Sequence, residues 1–123
     1  MIEVLPAPNH VAAFRAHGLV TGDDFQKVID ETEAKLKTNE RIGVYSDVMD
    51  FTDATGEAIA KRVQYGLSKL GDINRFARMA VITNKNWIRA VADWSAKLLP
   101  KSQIRVFDES ERQSAMEWVA GTA

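Results

Sequence analysis

RIGVYSDVM (Arg41–Met49), TGEAIAKRVQYGLSKL (Thr55–Leu70) and RMAVIT (Arg78–Thr83) read in turn as strand, helix and strand. The outer two are short and apolar enough for buried strands, and the middle one has helical length, with Ile59, Val63, Gly66, Leu67 and Leu70 recurring on one face. The alternation continues through NWIRAVADWSAKLL (Asn86–Leu99), QIRVF (Gln103–Phe107) and ESERQSAMEWVAG (Glu109–Gly121). Consecutive strands joined by helical crossovers pair in parallel. Met79, Ala80, Val81 and Ile82 are apolar at both parities, as a central strand covered on both faces requires.

Upstream, Ile2–Leu5 is a short apolar strand ended by Pro6 and Pro8. His10–Gly18 sets Ala12, Phe14 and Ala16 against Val11, Ala13 and Arg15, the pattern of a strand with one polar face. The two should pair as an antiparallel hairpin. Thr21 and Asp24 have capping-box spacing, Val20 and Phe25 stand where a hydrophobic staple would, and Phe25, Val28, Ile29, Thr32 and Leu36 form a helical core stripe. The expected fold is therefore α/β: a mixed, mostly parallel sheet with an N-terminal antiparallel hairpin and flanking helices, in one domain spanning residues 1–123.

The 123 residues are 46% hydrophobic and 27% charged, the make-up of a chain that buries one core. With no cysteine there is no disulfide, thiolate nucleophile or Cys-ligated metal, which suits a reducing cytoplasm. MIEVLPAPNHV lacks the basic n-region and apolar h-region of a signal peptide, and no run of about 18 apolar residues occurs, so the expected localisation is cytoplasmic, extending to the inner face of the membrane. Charge is unevenly placed: residues 60–105 hold 10 basic and 2 acidic side chains, whereas residues 1–59 hold 5 basic and 11 acidic ones. A basic segment in one domain attracts anions unless it faces the acidic first helix.

Within the basic segment, Trp87 and Trp94 lie seven residues apart on one predicted helix. Its apolar and small residues, from Ala90 and Trp94 round to Ala92 and Ala96, sweep roughly 240° of circumference, and Arg89, Asp93 and Lys97 fill the rest. A helix lying on a sheet needs an apolar stripe of little more than about 100°. The surplus is covered by core packing, a second copy of the chain, a lipid surface or an apolar ligand. In the preceding helix Ile59, Val63, Gly66, Leu67 and Leu70 read as the buried face, leaving Lys61, Arg62, Tyr65 and Lys69 on an exposed basic side. A cationic helix beside a tryptophan-rich one suits peripheral binding to anionic lipid. The candidate ligand-binding residues are accordingly Tyr65, Lys69, Trp87, Ile88, Arg89, Val91 and Trp94.

Catalytic chemistry finds little here. Asp47, Asp50 and Asp53 follow a predicted parallel strand and would suit a hard cation, but Asp53 is explained as a helix cap, and no metal or other cofactor is expected. His10 and His17 have opposite strand parity and should point to opposite faces. There is no G-x-S-x-G, G-x-G-x-x-G or P-loop, and no nucleic-acid module, so neither an enzyme nor a nucleic-acid partner is expected.

The opening MIEVLP, the helix entry GLVTGDDF, the strand YSDV, the helix start NWIRAV, the strand RVF and the closing AMEW occur in an order and spacing that resembles the SpoIIAA-like family. These are bacterial relatives of the STAS domain of anti-sigma-factor antagonists and of anion-transporter tails. The resemblance covers essentially the whole chain. It implies a STAS-type mixed sheet with flanking helices, a fold likened to that of CRAL-TRIO lipid-binding domains, and a largely unassigned role. It also implies a regulatory alternative, with a protein partner and a phosphoacceptor. Thr55 occupies the acceptor's place in Asp53-Ala54-Thr55-Gly56, although Ala54 replaces the first serine of the D-S-S/T-G pattern.

Overall fold

A computed structural model describes residues 1–98 and 103–121, without the side chains of Ser95, Ala96 and Leu98. Five strands form one sheet in the sequential order β1 (Ile2–Val4), β2 (Val11–Val20), β3 (Ile42–Ala54), β4 (Phe76–Ile82) and β5 (Gln103–Phe107). β1 pairs antiparallel with β2, and every later pair is parallel. The mixed, mostly parallel sheet with an N-terminal hairpin is thus present.

The helices α1 (Gly22–Thr38), α2 (Gly56–Ser68) and α3 (Asn86–Leu98) are the crossovers between parallel neighbours. Since such crossovers are right-handed and the strand order never reverses, all three belong to one face of the sheet. The fourth helix, α4 (Arg112–Ala120), covers the other face against β3 and β4. Two core layers result. Ala12, Phe14 and Ala16 pack with Phe25 and Val28 of α1 and Ala58 of α2, while Val11, Ala13, Tyr45, Ala80 and Ile82 pack with Ala115 and Val119 of α4.

The expected start of α1 is found in full. Thr21 Oγ1 accepts from the Asp24 amide at 3.2 Å, and Asp24 accepts from the Thr21 amide at 2.9 Å. That second bond, to the Thr21 backbone, is the main reason the Asp24 carboxyl titrates below the usual carboxylate range. Val20 and Phe25 share one apolar cluster, where the staple should put them.

Three elements differ from expectation. β2 is buried on both faces at its start, because α4 covers Val11 and Ala13, so it has no polar face there. β3 runs 13 residues to Ala54 and takes in the stretch that reads as an aspartate-rich loop. The extended β2 supplies its partner ladder, with Gly18 opposite Phe51 and Leu19 opposite Asp53, and two register shifts absorb the extra residues. Gly18 sits between those shifts with φ of +57°, a conformation glycine adopts without steric penalty. Finally, Glu109–Glu111 is a 3₁₀ turn ahead of α4, entered through Asp108, whose carboxyl is held low chiefly by the Ser110 hydroxyl. The predicted end of the third helix at Leu99 lies outside the described residues.

Candidate functional site

α2 is turned the other way from its sequence reading. Ile59, Val63, Leu67 and Leu70 are exposed, Leu67 at 64%, and Ala58 is the helix's one buried residue. Lys61, Tyr65 and Lys69 instead point at α1, on which α2 chiefly packs. The physical reason is the acidic first helix. Lys69 Nζ lies 2.8 Å from Glu33 Oε1, Tyr65 Oη donates to Glu33 Oε2 at 3.2 Å, and Lys61 Nζ donates to Gln26 Oε1 at 3.5 Å. A lysine 18% exposed that keeps a partner costs little to cover, whereas the same lysine on a sheet face would be buried without one. Burial, then the Glu33 charge and hydrogen bond, push the Tyr65 phenol far above its ordinary value. Tyr65 and Lys69 are therefore latch residues between helices, and the exposed side of α2 is apolar rather than basic.

α3 also faces outward. Trp87, Val91 and Trp94 are exposed, Trp94 at 65%, at i, i+4 and i+7 of one face. The helix packs on β5, and its inward side holds Ala92, which is buried, and Ile88, which is half-buried. Phe51 of β3 lies beneath Trp87, with ring centroids 6.4 Å apart. So the apolar surplus read from the sequence is real, and two helices supply it. Arg62, Arg89 and Lys97 are exposed on the same helices and form no ion pair among the described residues. Of the seven candidate ligand residues, Trp87, Val91, Trp94 and Arg89 are exposed on α3, while Ile88, Tyr65 and Lys69 serve the packing beneath.

The acidic residues of β3 are dispersed. Asp47 is 1% exposed on the α4 side, Asp50 stands 3.8 Å from His17 Nδ1, and Asp53 accepts from its neighbour, the Ala54 amide. Among the described residues, no group of three or more His, Asp or Glu side chains is placed to hold a metal ion. His10 precedes β2 and meets the Ala120 carbonyl at 2.7 Å, whereas His17 meets Glu3 at 3.2 Å. Thr55, not Asp53, caps α2, its Oγ1 accepting from the Ala58 amide at 3.1 Å. No described helix is long and apolar enough to cross a membrane.

A constellation that sequence reading missed surrounds Asp47. Its Oδ2 accepts from Arg112 Nε at 2.8 Å and Arg15 Nε at 3.2 Å, while Oδ1 accepts from the Met49 amide at 3.2 Å. The hydrogen bond to Asp47 is the chief reason the Arg112 guanidinium titrates above its ordinary value. Parity was the available signal: Arg15 continues the Val11, Ala13 side of β2, and Asp47 continues the Tyr45 side of β3.

A model of the SpoIIAA-like family matches residues 11–120. The chain belongs to the SpoIIAA-like family. Among solved structures, this SpoIIAA-like chain is similar to an uncharacterised protein of the DUF3478 family with a SpoIIAA-like fold from Shewanella loihica PV-4. The TM-score is 0.71 at 18% identity, over 97% of this chain and 92% of that one. No curated protein matches it. At that identity the likeness carries the SpoIIAA-like fold and leaves the exposed faces of α2 and α3 to be interpreted from their own chemistry.

Proposed function

We propose that this SpoIIAA-like chain is a non-enzymatic module that associates peripherally with an anionic lipid surface through α2 and α3. The observation that carries the reading is the outward orientation of Ile59, Val63 and Leu67 together with Trp87, Val91 and Trp94. Two adjacent crossover helices expose their apolar faces while a polar latch holds one of them down on α1. Tryptophan settles at the water–acyl boundary, aliphatic side chains enter the acyl region, and Arg62, Arg89 and Lys97 on the same helices meet headgroup phosphates. Rings that point outward suit a surface better than an enclosed pocket for a single lipid-like molecule.

Co-sedimentation with phosphatidylglycerol and phosphatidylcholine vesicles tests this. The protein should pellet with the anionic vesicles, and Leu67→Glu and Trp94→Glu should abolish pelleting while the fold persists. Binding that survives both substitutions would overturn the proposal. A dimer in solution that Leu67→Glu splits would instead assign the faces to a second copy of the chain.

The regulatory reading rests on Thr55, which caps α2 at its half-exposed N-terminus. A phosphate there would replace the capping hydroxyl with a dianion at the positive end of the α2 dipole. Its test is a partner kinase: Thr55→Ala should abolish phosphate incorporation, and incorporation that persists would remove this alternative.

A further inference from the structure

Asp47 is buried, and one buried carboxylate needs one countercharge, yet two arginines donate to it. The surplus is one positive charge midway along β3, beside Ile82 at the carboxyl end of β4. Both arginines reach Asp47 Oδ2 through Nε, so neither Nη group of either guanidinium is used in a hydrogen bond within the described residues. Arg15 and Arg112 are 33% and 38% exposed, so those free edges face solvent while their inner edges are fixed. Sharing one acceptor oxygen also gathers the two guanidinium groups around a single carboxylate.

Acidic neighbours offset this charge only in part. Glu3, opposite Arg15 in the ladder, turns to His17 at 3.2 Å, and Asp50 lies 3.8 Å from the same imidazole. Glu109, in the turn before α4, makes no direct ion pair with Arg112, although its charge is the weakest of the causes that raise the Arg112 titration, and Lys85 adds a third cation nearby, its Nζ donating to the Met49 carbonyl at 3.4 Å. Tyr45, two residues before Asp47 on the same face, is buried and holds its proton.

We infer that Arg15 and Arg112, oriented by Asp47, form a binding site for the phosphate group of a soluble phosphate monoester. Two guanidinium forks satisfy several oxygens of a phosphate dianion at once, and a buried acceptor that holds both arginines in place lowers the conformational entropy lost on binding. The site lies on the α4 side of the sheet and is independent of the exposed faces of α2 and α3.

The test is an NMR titration of the full chain with inorganic phosphate and with glycerol phosphate against sodium chloride at matched ionic strength. Saturable shifts at the amides of Arg15, Met49 and Arg112, with affinity on the order of millimolar, are expected for both phosphates. Arg112→Ala should weaken the affinity about tenfold or more. Arg15→Lys keeps a charge on Asp47 but loses the fork, so it should weaken binding too, and it serves as the second variant if Arg112→Ala does not fold. Shifts matched by chloride, or affinity unchanged in the folded variants, would overturn the site. So would a response to phosphatidate vesicles alone, which would place these cations on a lipid surface.

Discussion

Tyr65 Oη donates to Glu33 Oε2 at 3.2 Å, and this contact between α2 and α1 fixes which side of α2 meets water. With Lys69 on the other Glu33 oxygen at 2.8 Å, the polar side of the helix is committed inward and Ile59, Val63 and Leu67 are left outside. Glu33→Ala removes both partners at once. It should destabilise the docking of α2 by about 1–3 kcal/mol, because Tyr65 and Lys69 keep their cover but lose their acceptor. Hydrogen exchange would show it as faster exchange in α2 with β3 and β4 unchanged, and uniform acceleration across the sheet would contradict the latch.

The same pair makes α2 docking sensitive to alkali. In the folded chain the Tyr65 phenol titrates above its ordinary value of 10.0, from burial first and Glu33 second, so the neutral form is favoured by folding. That contribution is intact below about pH 10 and is lost as pH rises from there through the folded value. Tyr45, also raised by burial and by the Asp47 charge, acts in the same direction. Tyr65→Phe should therefore flatten part of the stability loss seen by chemical denaturation above pH 10, and an unchanged slope would count against a buried, neutral Tyr65.

Strand order and the cap of α1 were legible before the structure because they depend on local signals: the period change near Arg41, the Thr21–Asp24 box and the doubly apolar Met79–Ile82 run. The face of α2 was not. Its apolar stripe of Ile59, Val63 and Leu67 has the spacing of a core stripe, and periodicity alone does not say whether core, partner or lipid covers it. Glu33 decided the matter from another helix, 32 residues away from Tyr65. Asp47 was misread for the same reason: three aspartates at regular spacing suggest shared chemistry, but β3 continues through them and sends Asp47 to the Arg15 and Arg112 side.

Gly18 holds φ of +57° at the β2 irregularity that lets β3 extend to Ala54. A Cβ there meets nothing within 4 Å, so Gly18→Ala isolates the backbone term. It should destabilise the chain by about 1–2 kcal/mol, read as a lower urea midpoint at constant slope. A neutral result would mean that the bulge relaxes without a left-handed residue.

Exposed and buried apolar residues should separate cleanly by substitution. Ile42 is fully buried, and Ile42→Ala should cost about 2–5 kcal/mol by leaving a cavity beside Leu36 and Phe76. Leu67→Ala should fall within about 0.5 kcal/mol of the parent, because its side chain already faces water. Tryptophan quenching offers a second reading of the same asymmetry. Trp118 packs on Phe107, centroids 5.9 Å apart, with Arg78 and Arg105 over its ring, whereas Trp87 and Trp94 stand open. Acrylamide should quench Trp87 and Trp94 well before Trp118, and anionic vesicles should protect the first two and leave Trp118 unchanged. Loss of stability in Leu67→Ala comparable to that of Ile42→Ala would place Leu67 in a core, and α2 would then be packed as its sequence periodicity first suggests.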